Sequence, residues 1–368
     1  MKKFFKVVVV VILLACILCG GMFVYKKFFS KEKGITISNW DSIYNENNIK
    51  FFYEDLSSEK TESDLSKLDA EYKIKDSIKN LSTEKDIISK GMDILNSIAD
   101  SDDISESNLT SGYAIISNMA GRKKLAPRDM AYLQRDIFLC EGIVSRVGEF
   151  RKEDPKNAKN PSYYIVEYWS TKYSKWVMID VVNNGYLEKN NEPLSAIEIM
   201  QAKMNDLTYV GSIAQSDFKD KIKKYLSSYT IAIDNTLDNK KSNTYITYTT
   251  DKKDITLKVG NSYAPCTIYT TNKDLFNFDP SKKIDGKDAK AYLVIMKDTD
   301  EKAADNAYII GAFKDDSILD EYYLKINDDN MEKVLKYKNI ELEEGTTSIS
   351  LLIDGQAVEA KVEIENNK

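Results

Sequence analysis

The side chains most able to do chemistry lie in residues 162–180, SYYIVEYWSTKYSKWVMID, which predict two short strands joined by a polar turn. Tyr163 stands near the start of this hairpin and Asp180 at its end. A phenol has an ordinary pKa of about 10, so Tyr163 can donate a hydrogen bond or stack on a ligand. Asp180 can cap its strand or accept that hydrogen bond. The chain contains no histidine, which excludes histidine-based zinc sites and a histidine general base.

Four residues of the body are candidate nucleophiles. Cys140 follows the apolar residues IFL at the end of a predicted helix, where the helix dipole raises the pKa of a thiol, so we expect it to pack in the core. We expect the same of Cys266, and the sequence leaves open whether the two cysteines are paired. Ser162 and Ser195 are the alternatives that a serine hydrolase would use.

No motif for a cofactor or a metal is present in the sequence. There is no dinucleotide-binding glycine motif, P-loop, CxxC pair or HExxH. The acidic stretches SDDISES, DTDEKAADN and NDDN lack the full spacing of a calcium-binding loop, and we interpret them as solvated loops. We therefore predict neither a cofactor nor a metal site.

The N-terminus predicts a membrane anchor. A basic head at 1–6 precedes residues 7–25, which carry no charge and are followed by KKFFSKEK. An α-helix of that length, at ~1.5 Å per residue, spans ~28 Å, about the thickness of the bilayer core. We predict a signal anchor with a cytoplasmic head and the bulk of the chain outside the cell membrane. A cleaved signal peptide is one alternative, and lipidation of Cys16, within the lipobox-like LLAC, is another.

Charge is distributed unevenly along the chain. Seven lysines and one glutamate give residues 1–33 a net charge of +6, so the total of −6 leaves −12 for residues 34–368. An acidic body lacks the basic surface that nucleic-acid binding needs. We therefore expect no nucleic-acid partner.

The patterns along the chain predict an α+β protein built from several segments. Residues 26–68 are polar and predict a stalk with little fixed structure. Residues 69–230 contain amphipathic helices and the hairpin, with Pro127 and Gly142 marking the start and end of one helix. Residues 240–368 are short strands separated by turns, which indicates an all-β, sandwich-like domain.

Three stretches within residues 69–203 are similar to a known family. EGIVSRVGEF resembles the Gly-Ile-Pro-Ala-Arg segment of the transglutaminase-like superfamily, whose fold is papain-like. VEYWSTKYSKWVMID resembles the hairpin of that family that carries a histidine and an aspartate, and PLSAIEI is similar to the tail of some bacterial members. The resemblance implies a papain-like α+β domain.

Most residues that carry the chemistry of that family are replaced in this chain. In the family, a cysteine at a helix N-terminus is activated by a histidine, which an aspartate orients. The resemblance puts the position of the cysteine at Pro127, or within one residue of it. It puts the position of the histidine at Tyr163 and that of the aspartate at Asp180. Since only the aspartate is present, the resemblance implies a degenerate member without the acyl-transfer activity.

Two functions from different classes are consistent with these observations. The first is a membrane-anchored extracytoplasmic pseudoenzyme that binds a cell-wall polymer or a surface protein, because aromatic rings beside a cleft can form a binding platform. Its candidate binding residues are Tyr163, Trp169, Trp176 and Asp180. The second is an active thiol or serine hydrolase, or a transamidase, with a relocated active site. A plainer alternative is a spacer that holds the β domain away from the membrane.

Overall fold

The computed structural model describes most of the chain after residue 33. The described residues are 34–41, 43–49, 59–119, 121–152, 161–235, 240–250, 255–259, 262–263, 267–282, 286–298, 300–315 and 317–367. The predicted anchor at 7–25, with Cys16, lies outside these ranges, and so does Cys266. Within them, no helix is long and apolar enough to span a bilayer.

Helices occupy mainly the first half of the described chain, and strands occupy the second. The helices are α1 Glu59–Tyr72, α2 Ile74–Ile78, α3 Glu84–Ile98, α4 Gly112–Ser117, α5 Pro127–Cys140, α6 Ala196–Gln201 and α7 Gln215–Ile222, with short 3-10 helices at Met204–Asp206 and Lys273–Asn277. The strands are β1 Gly34–Trp40, β2 Asp100–Ser101, β3 Lys124–Leu125, β4 Ser145–Arg151, β5 Ser162–Ser170, β6 Lys175–Ile179, β7 Tyr186–Lys189, β8 Glu192–Pro193, β9 Thr208–Val210, β10 Ser228–Asn235, β11 Lys240–Thr249, β12 Ile255–Val259, β13 Ser262–Tyr263, β14 Thr267–Thr270, β15 Tyr292–Lys297, β16 Ala307–Lys314, β17 Ser317–Ile318, β18 Glu321–Ile326, β19 Glu332–Leu335, β20 Tyr337–Glu341, β21 Gly345–Leu352 and β22 Val358–Asn367.

A ten-stranded sheet runs through the described part of the molecule. Its strand order is β17-β16-β15-β14-β11-β10-β4-β5-β6, and β20 also pairs with β16. β11 and β14 are parallel, whereas β10 is antiparallel to both β4 and β11. The sheet is therefore continuous from the hairpin β5–β6 to the strands of the C-terminal region.

A second sheet covers one end of the first. Its seven described strands follow the order β13-β12-β1-β22-β21-β18-β19. Alternate residues of strands in both sheets, such as Leu293 and Ile295 of β15 and Ile349 and Leu351 of β21, join one buried apolar cluster. Two sheets that share a core in this way form a β-sandwich, which agrees with the strand-rich C-terminal region expected from the sequence.

The hairpin β5–β6 divides its side chains between two other cores, because successive residues of a strand point to opposite faces. Tyr163 and Ile165 belong to a cluster that residues of α6 and α7 also line. Val166 and Tyr168 belong to the cluster formed with α1 to α5. The first strand of the hairpin therefore has one face toward the helical layer and the other face away from it.

Helix α5 is the buried centre of the helical layer. Pro127 is its first residue, a position where the missing N–H of proline has no partner to lose. All residues from Asp129 to Cys140 are buried, and the Phe138 ring lies edge-on to Tyr168 at a centroid distance of 6.0 Å. The chain leaves the helix through Gly142, whose φ of 79° suits glycine. The start and end predicted for this helix are both confirmed.

The segment expected to be a stalk contains regular structure. Residues 34–40 form β1, which lies between β22 and β12 in the seven-stranded sheet, and α1 begins at Glu59. Ile35 and Ile37 alternate with polar residues and are 3% and 1% exposed, so this short strand buries an apolar face despite its polar surroundings in the sequence. The prediction of a stalk with little fixed structure over 26–68 is therefore wrong for residues 34–40 and 59–68.

The expected division between a domain ending at 230 and one starting at 240 is also absent from the described chain. β10 and β11 pair antiparallel across that boundary, and β10 continues the sheet through β4. The helical layer and the sandwich are thus built on one shared sheet. The α+β class expected from the sequence is confirmed.

Candidate functional site

Tyr163 and Asp180 meet because the hairpin places the beginning of β5 beside the residue that follows β6. The Tyr163 hydroxyl donates a hydrogen bond to Oδ1 of Asp180 at 2.7 Å. Asp180 is fully buried and Tyr163 is 5% exposed. Backbone hydrogen bonds between Asp180 and Gly185 close the turn that follows, so the carboxylate is held on a rigid frame.

Further donors surround the Asp180 carboxylate. Asn183 Nδ2 donates to Oδ2 at 2.8 Å and to the Tyr163 hydroxyl at 3.1 Å. The Tyr209 hydroxyl donates to Oδ2 at 3.1 Å, and the backbone N–H of Val182 donates to Oδ1 at 3.2 Å. Such partners offset the free-energy cost of removing a carboxyl group from water. We call Tyr163, Asp180, Asn183 and Tyr209 the tyrosine–aspartate cluster.

Sequence reasoning missed Asn183 and Tyr209. Asn183 had a usable signal, because it stands three residues after Asp180 in the turn sequence DVVNNG, where Asp and Asn side chains commonly bond nearby backbone. No sequence pattern connects Tyr209 with the site, because Tyr209 reaches it from β9, which pairs with β7 rather than with the hairpin.

The phenols of this cluster act as donors. Burial raises the pKa of Tyr163 well above its ordinary range, and the neighbouring Asp180 carboxylate raises it further. The pKa of Tyr209 is raised by the same two causes. Both phenols therefore keep their protons at neutral pH. Tyr163 cannot take a proton from a nucleophile while it donates its own to Asp180.

Pro127 begins α5 in different surroundings. The guanidinium of Arg128 donates to the carbonyl oxygens of Ser107 and Leu109 at 2.7 and 2.9 Å. The side chain of Asp129 accepts from the hydroxyl of Ser107 at 2.8 Å. These bonds tie the first turn of α5 to the loop before α4. Residues 126–128, where the resemblance places the nucleophile, carry no thiol or hydroxyl of their own.

Tyr164, rather than Tyr163, faces the start of α5. Tyr164 packs against the helical core, and its hydroxyl donates to Glu106 at 3.4 Å. Its pKa is raised first by burial and then by Glu149 and Glu106, while Arg128 acts in the opposite direction. The structure thus brings Tyr163 to Asp180 but leaves both on the face of β5 opposite to the core that contains α5.

Trp176 lies in a buried ionic cluster. Arg146 Nη2 donates to Glu167 Oε2 at 2.6 Å, and its guanidinium stacks on the Trp176 ring at 3.9 Å. The same Nη2 reaches the carbonyl oxygen of Phe276 at 2.8 Å, so this cluster ties the hairpin to the 3-10 helix at Lys273–Asn277. Trp176 is fully buried and cannot be the binding surface that the sequence suggested.

Trp169 remains a candidate binding residue, because its side chain is only partly buried. Its ring stands edge-on to Trp176 with centroids 5.6 Å apart. The adjacent turn is held by Glu84, which accepts from the backbone N–H and the hydroxyl of Thr171, both at 3.0 Å. Trp169 is therefore a partly exposed aromatic side chain next to a fixed turn.

The three alternative nucleophiles that the structure describes differ in the hydrogen bonds that their thiol or hydroxyl groups make. The Cys140 thiol donates to the carbonyl oxygen of Leu65 at 3.4 Å, and burial raises its pKa to about 12. The Ser195 hydroxyl accepts from the N–H of Glu198 and caps α6. The Ser162 hydroxyl donates to Glu149, whose carboxylate also lies 3.6 Å from Arg151. Of these three side chains, Ser162 is the one whose hydroxyl donates to a carboxylate, a contact that Ser170 also makes, with Glu84.

Comparisons with known proteins add little to this geometry. No family model matches the sequence, and no curated protein matches it. Among solved structures, the chain is similar to a putative cysteine protease from Cytophaga hutchinsonii, with a TM-score of 0.27 and 12% sequence identity. The match covers 45% of this chain and 50% of that protein, so it spans half of the other chain. A likeness at this level assigns neither a fold family nor an activity.

Proposed function

We propose that this chain is a membrane-anchored extracytoplasmic protein whose transglutaminase-like region does not catalyse acyl transfer and instead binds a partner at the cell surface. The observation that carries this proposal is the hydrogen bond from Tyr163 to Asp180 at 2.7 Å. This hydrogen bond engages Asp180, the one residue of the family's catalytic triad that the chain retains.

Acyl transfer by this family needs a nucleophile, a base beside it and a group that orients the base. Pro127 supplies no nucleophile, and Tyr163 holds its proton against a buried carboxylate. Because the cluster lies on the face of β5 away from α5, a side-chain exchange at Tyr163 alone would not complete the triad. These features support a binding role over a catalytic one.

The test of inactivity uses the full chain in lipid vesicles. Amine incorporation into a glutamine-containing protein and hydrolysis of peptides would be measured beside an Asp180→Asn variant. We expect neither protein to exceed the rate of empty vesicles. Turnover that disappears in the Asp180→Asn variant would overturn the proposal.

The partner that we propose is a cell-wall polymer or a surface protein, and Trp169 is the tryptophan of the hairpin that stays partly exposed and could contact it. Aromatic side chains on fixed frames supply much of the energy of many interfaces. Sedimentation of the full chain with isolated cell walls would be compared for the parent, Trp169→Ala and Tyr173→Ala. Loss of binding in Trp169→Ala alone would support this surface, and equal binding by all three would remove it.

One observation favours the alternative of a relocated serine hydrolase, namely the contact between Ser162 and Glu149. A carboxylate within hydrogen-bond reach of a hydroxyl can act as a general base, although Arg151 also lies 3.6 Å from this one. Hydrolysis of small activated esters that is abolished by Ser162→Ala, and retained by the matched Ser170→Ala, would establish that alternative.

A further inference from the structure

Helix α7 packs its apolar face against the tyrosine–aspartate cluster. The ring of Phe218 stacks on that of Tyr209, with centroids 3.9 Å apart, and stands edge-on to Tyr163 at 6.4 Å. Phe218 and Ile222 are fully buried. Because these two residues are four apart, they lie on one face of the helix. The cluster therefore fixes the position of α7.

Two lysine side chains lie over aromatic rings beside this helix. Nζ of Lys221, in the last turn of α7, is 5.1 Å from the ring centre of Tyr163. Nζ of Lys152, the residue after β4, is 4.7 Å from the ring centre of Tyr225. Since the two ring centres are 5.4 Å apart, the two ammonium groups lie no more than about 15 Å from each other. Cation–π attraction at these distances holds each lysine head in place.

Helix α7 and the turn after it carry positive charge on an acidic body. Residues 215–225 contain four lysines and two aspartates, a net charge of +2, whereas residues 34–368 together carry −12. Asp220 is paired with Lys223 at 2.5 Å. Asp217 stands in the first turn of the helix, and the lysines lie toward its last turn and beyond. The positive charge is therefore concentrated at the C-terminal end of α7.

Two of the four lysines of this segment are open to a partner. Lys219 donates to the carbonyl oxygen of Leu207. Lys221 is partly exposed and Lys224 is exposed, and neither forms an ion pair with an acidic side chain within the part of the chain that the structure describes. Lys152 is also partly exposed. We call Lys152, Lys221 and Lys224 the basic surface.

We propose that the basic surface binds a linear cell-wall polymer that carries phosphate groups. This inference rests on the proposed binding role at the cell surface and names the chemical class of the polymer. Ammonium groups are compact point charges that suit phosphate oxygens, whereas planar carboxylates are matched best by arginine. The acidic remainder of the body repels a polyanion, which confines the contact to this surface. Three lysines form a smaller basic surface than nucleic-acid binding uses.

The position of Trp169 favours a polymer over a single phosphate ion. Trp169 and Tyr163 are six residues apart on β5, so their side chains point to the same face of the strand, ~20 Å apart. Lys221 lies over the Tyr163 ring. A polymer can reach both Trp169 and the basic surface, and a small anion cannot.

The test measures binding of dye-labelled inorganic polyphosphate to the full chain in detergent, by fluorescence anisotropy. The variant combines Lys221→Gln with Lys224→Gln. The matched control combines Lys85→Gln with Lys90→Gln, which removes the same charge from α3. Because the seven lysines of residues 1–33 are present in every protein, their contribution cancels. We expect the variant to bind several-fold more weakly than the parent, and the control to bind like the parent.

Two further measurements isolate charge and phosphate chemistry. Lysines in a last helical turn also stabilise the helix, so Lys221→Arg combined with Lys224→Arg keeps the charge and should keep the binding. Equal binding by the parent and the double glutamine variant would overturn the proposal. Tighter binding of poly-L-glutamate than of polyphosphate by the parent would overturn the assignment to phosphate.

Sedimentation with isolated cell walls separates this inference from the proposed function. We expect walls stripped of phosphate polymers by hydrofluoric acid to lose the parent. If intact walls bind the parent and the double glutamine variant equally, the basic surface is wrong and the binding role stands. If walls bind neither protein while polyphosphate binding still depends on Lys221 and Lys224, the proposed role at the cell wall fails and the phosphate-binding surface stands.

Discussion

The Tyr163 hydroxyl lies 2.7 Å from Oδ1 of Asp180, and the two residues hold the beginning of β5 to the end of β6 in a buried environment. The carboxylate that the sequence presented as a remnant of a triad is thus fully engaged by donors. A residue engaged in this way contributes to folding whether or not it ever contributes to chemistry.

Removing the Tyr163 hydroxyl should therefore destabilise the protein. Tyr163→Phe takes one donor from the buried carboxyl group of Asp180, which costs roughly 1–3 kcal/mol. Tyr225→Phe is the matched control, because Tyr225 packs against Tyr163 at 5.4 Å and no hydrogen bond from its hydroxyl is found in the described part of the chain. Denaturant unfolding of the full chain in detergent checks the difference, and equal stability of the two variants would contradict it.

The sequence predicted the features that depend on local signals. Pro127 and Gly142 mark the ends of α5 because proline and glycine act on the backbone at their own positions, and the alternation in residues 162–180 marked the hairpin. The pairing of Tyr163 with Asp180 was considered because both stand on that hairpin.

The features that the sequence did not predict depend on pairing between distant residues. Gly34 pairs with Asn367, and nothing in residues 34–40 reveals that partner. The face on which Tyr163 lies is set by strand register, and a shift of one residue would exchange the two faces. Spacing along the sequence identified Tyr163 as the residue at the position of the histidine. It did not show which face of the sheet the Tyr163 side chain occupies.

That distinction predicts which substitution would rebuild a thiol–imidazole pair. In Pro127→Cys the thiol lies at the N-terminus of α5, which lowers its pKa. An imidazole introduced by Tyr164→His faces the same core as α5, whereas one introduced by Tyr163→His faces Asp180. We expect the thiol to become reactive at lower pH when Pro127→Cys is combined with Tyr164→His.

The measurement is the pH dependence of alkylation at position 127, resolved by mass spectrometry so that the other cysteines do not interfere. The combination of Pro127→Cys with Tyr163→His is the control. A lower apparent pKa of the introduced thiol in that control would show that an imidazole at position 163 reaches the start of α5, and would contradict the prediction.

Cys140 should be unreactive in the folded protein. Burial raises its pKa to about 12, so the thiolate that alkylating agents attack is scarce at neutral pH, and access is blocked as well. Site-resolved alkylation at pH 7.5 should be at least ~100-fold slower in the native chain than in the unfolded chain. An exposed thiol from Glu344→Cys supplies the reference rate, and native Cys140 reacting as fast as that reference would revive a thiol enzyme.

Glu141 makes the stability of the helical layer depend on pH. Both carboxylate oxygens are buried, and no hydrogen-bond partner is found for them in the described part of the chain. A Cβ at Gly91 would lie 2.7 Å from Oε2, which shows how closely α3 approaches this group. Burial raises its pKa from 4.5 to about 8, so the carboxyl is neutral in the fold at pH 7 and would be ionised in the unfolded chain.

Stability should consequently fall as the pH rises from about 4.5 to about 8, because the folded state keeps a proton that the unfolded state has released. Glu141→Gln removes this loss, since the amide stays neutral at every pH. We expect Glu141→Gln to match the parent near pH 4 and to exceed its stability by about 4 kcal/mol at pH 8, because the raised pKa spans about 3.5 units at ~1.4 kcal/mol each. Denaturant unfolding across this range checks the prediction beside Glu344→Gln, an exposed control. A stability difference between Glu141→Gln and the parent that does not change with pH would contradict it.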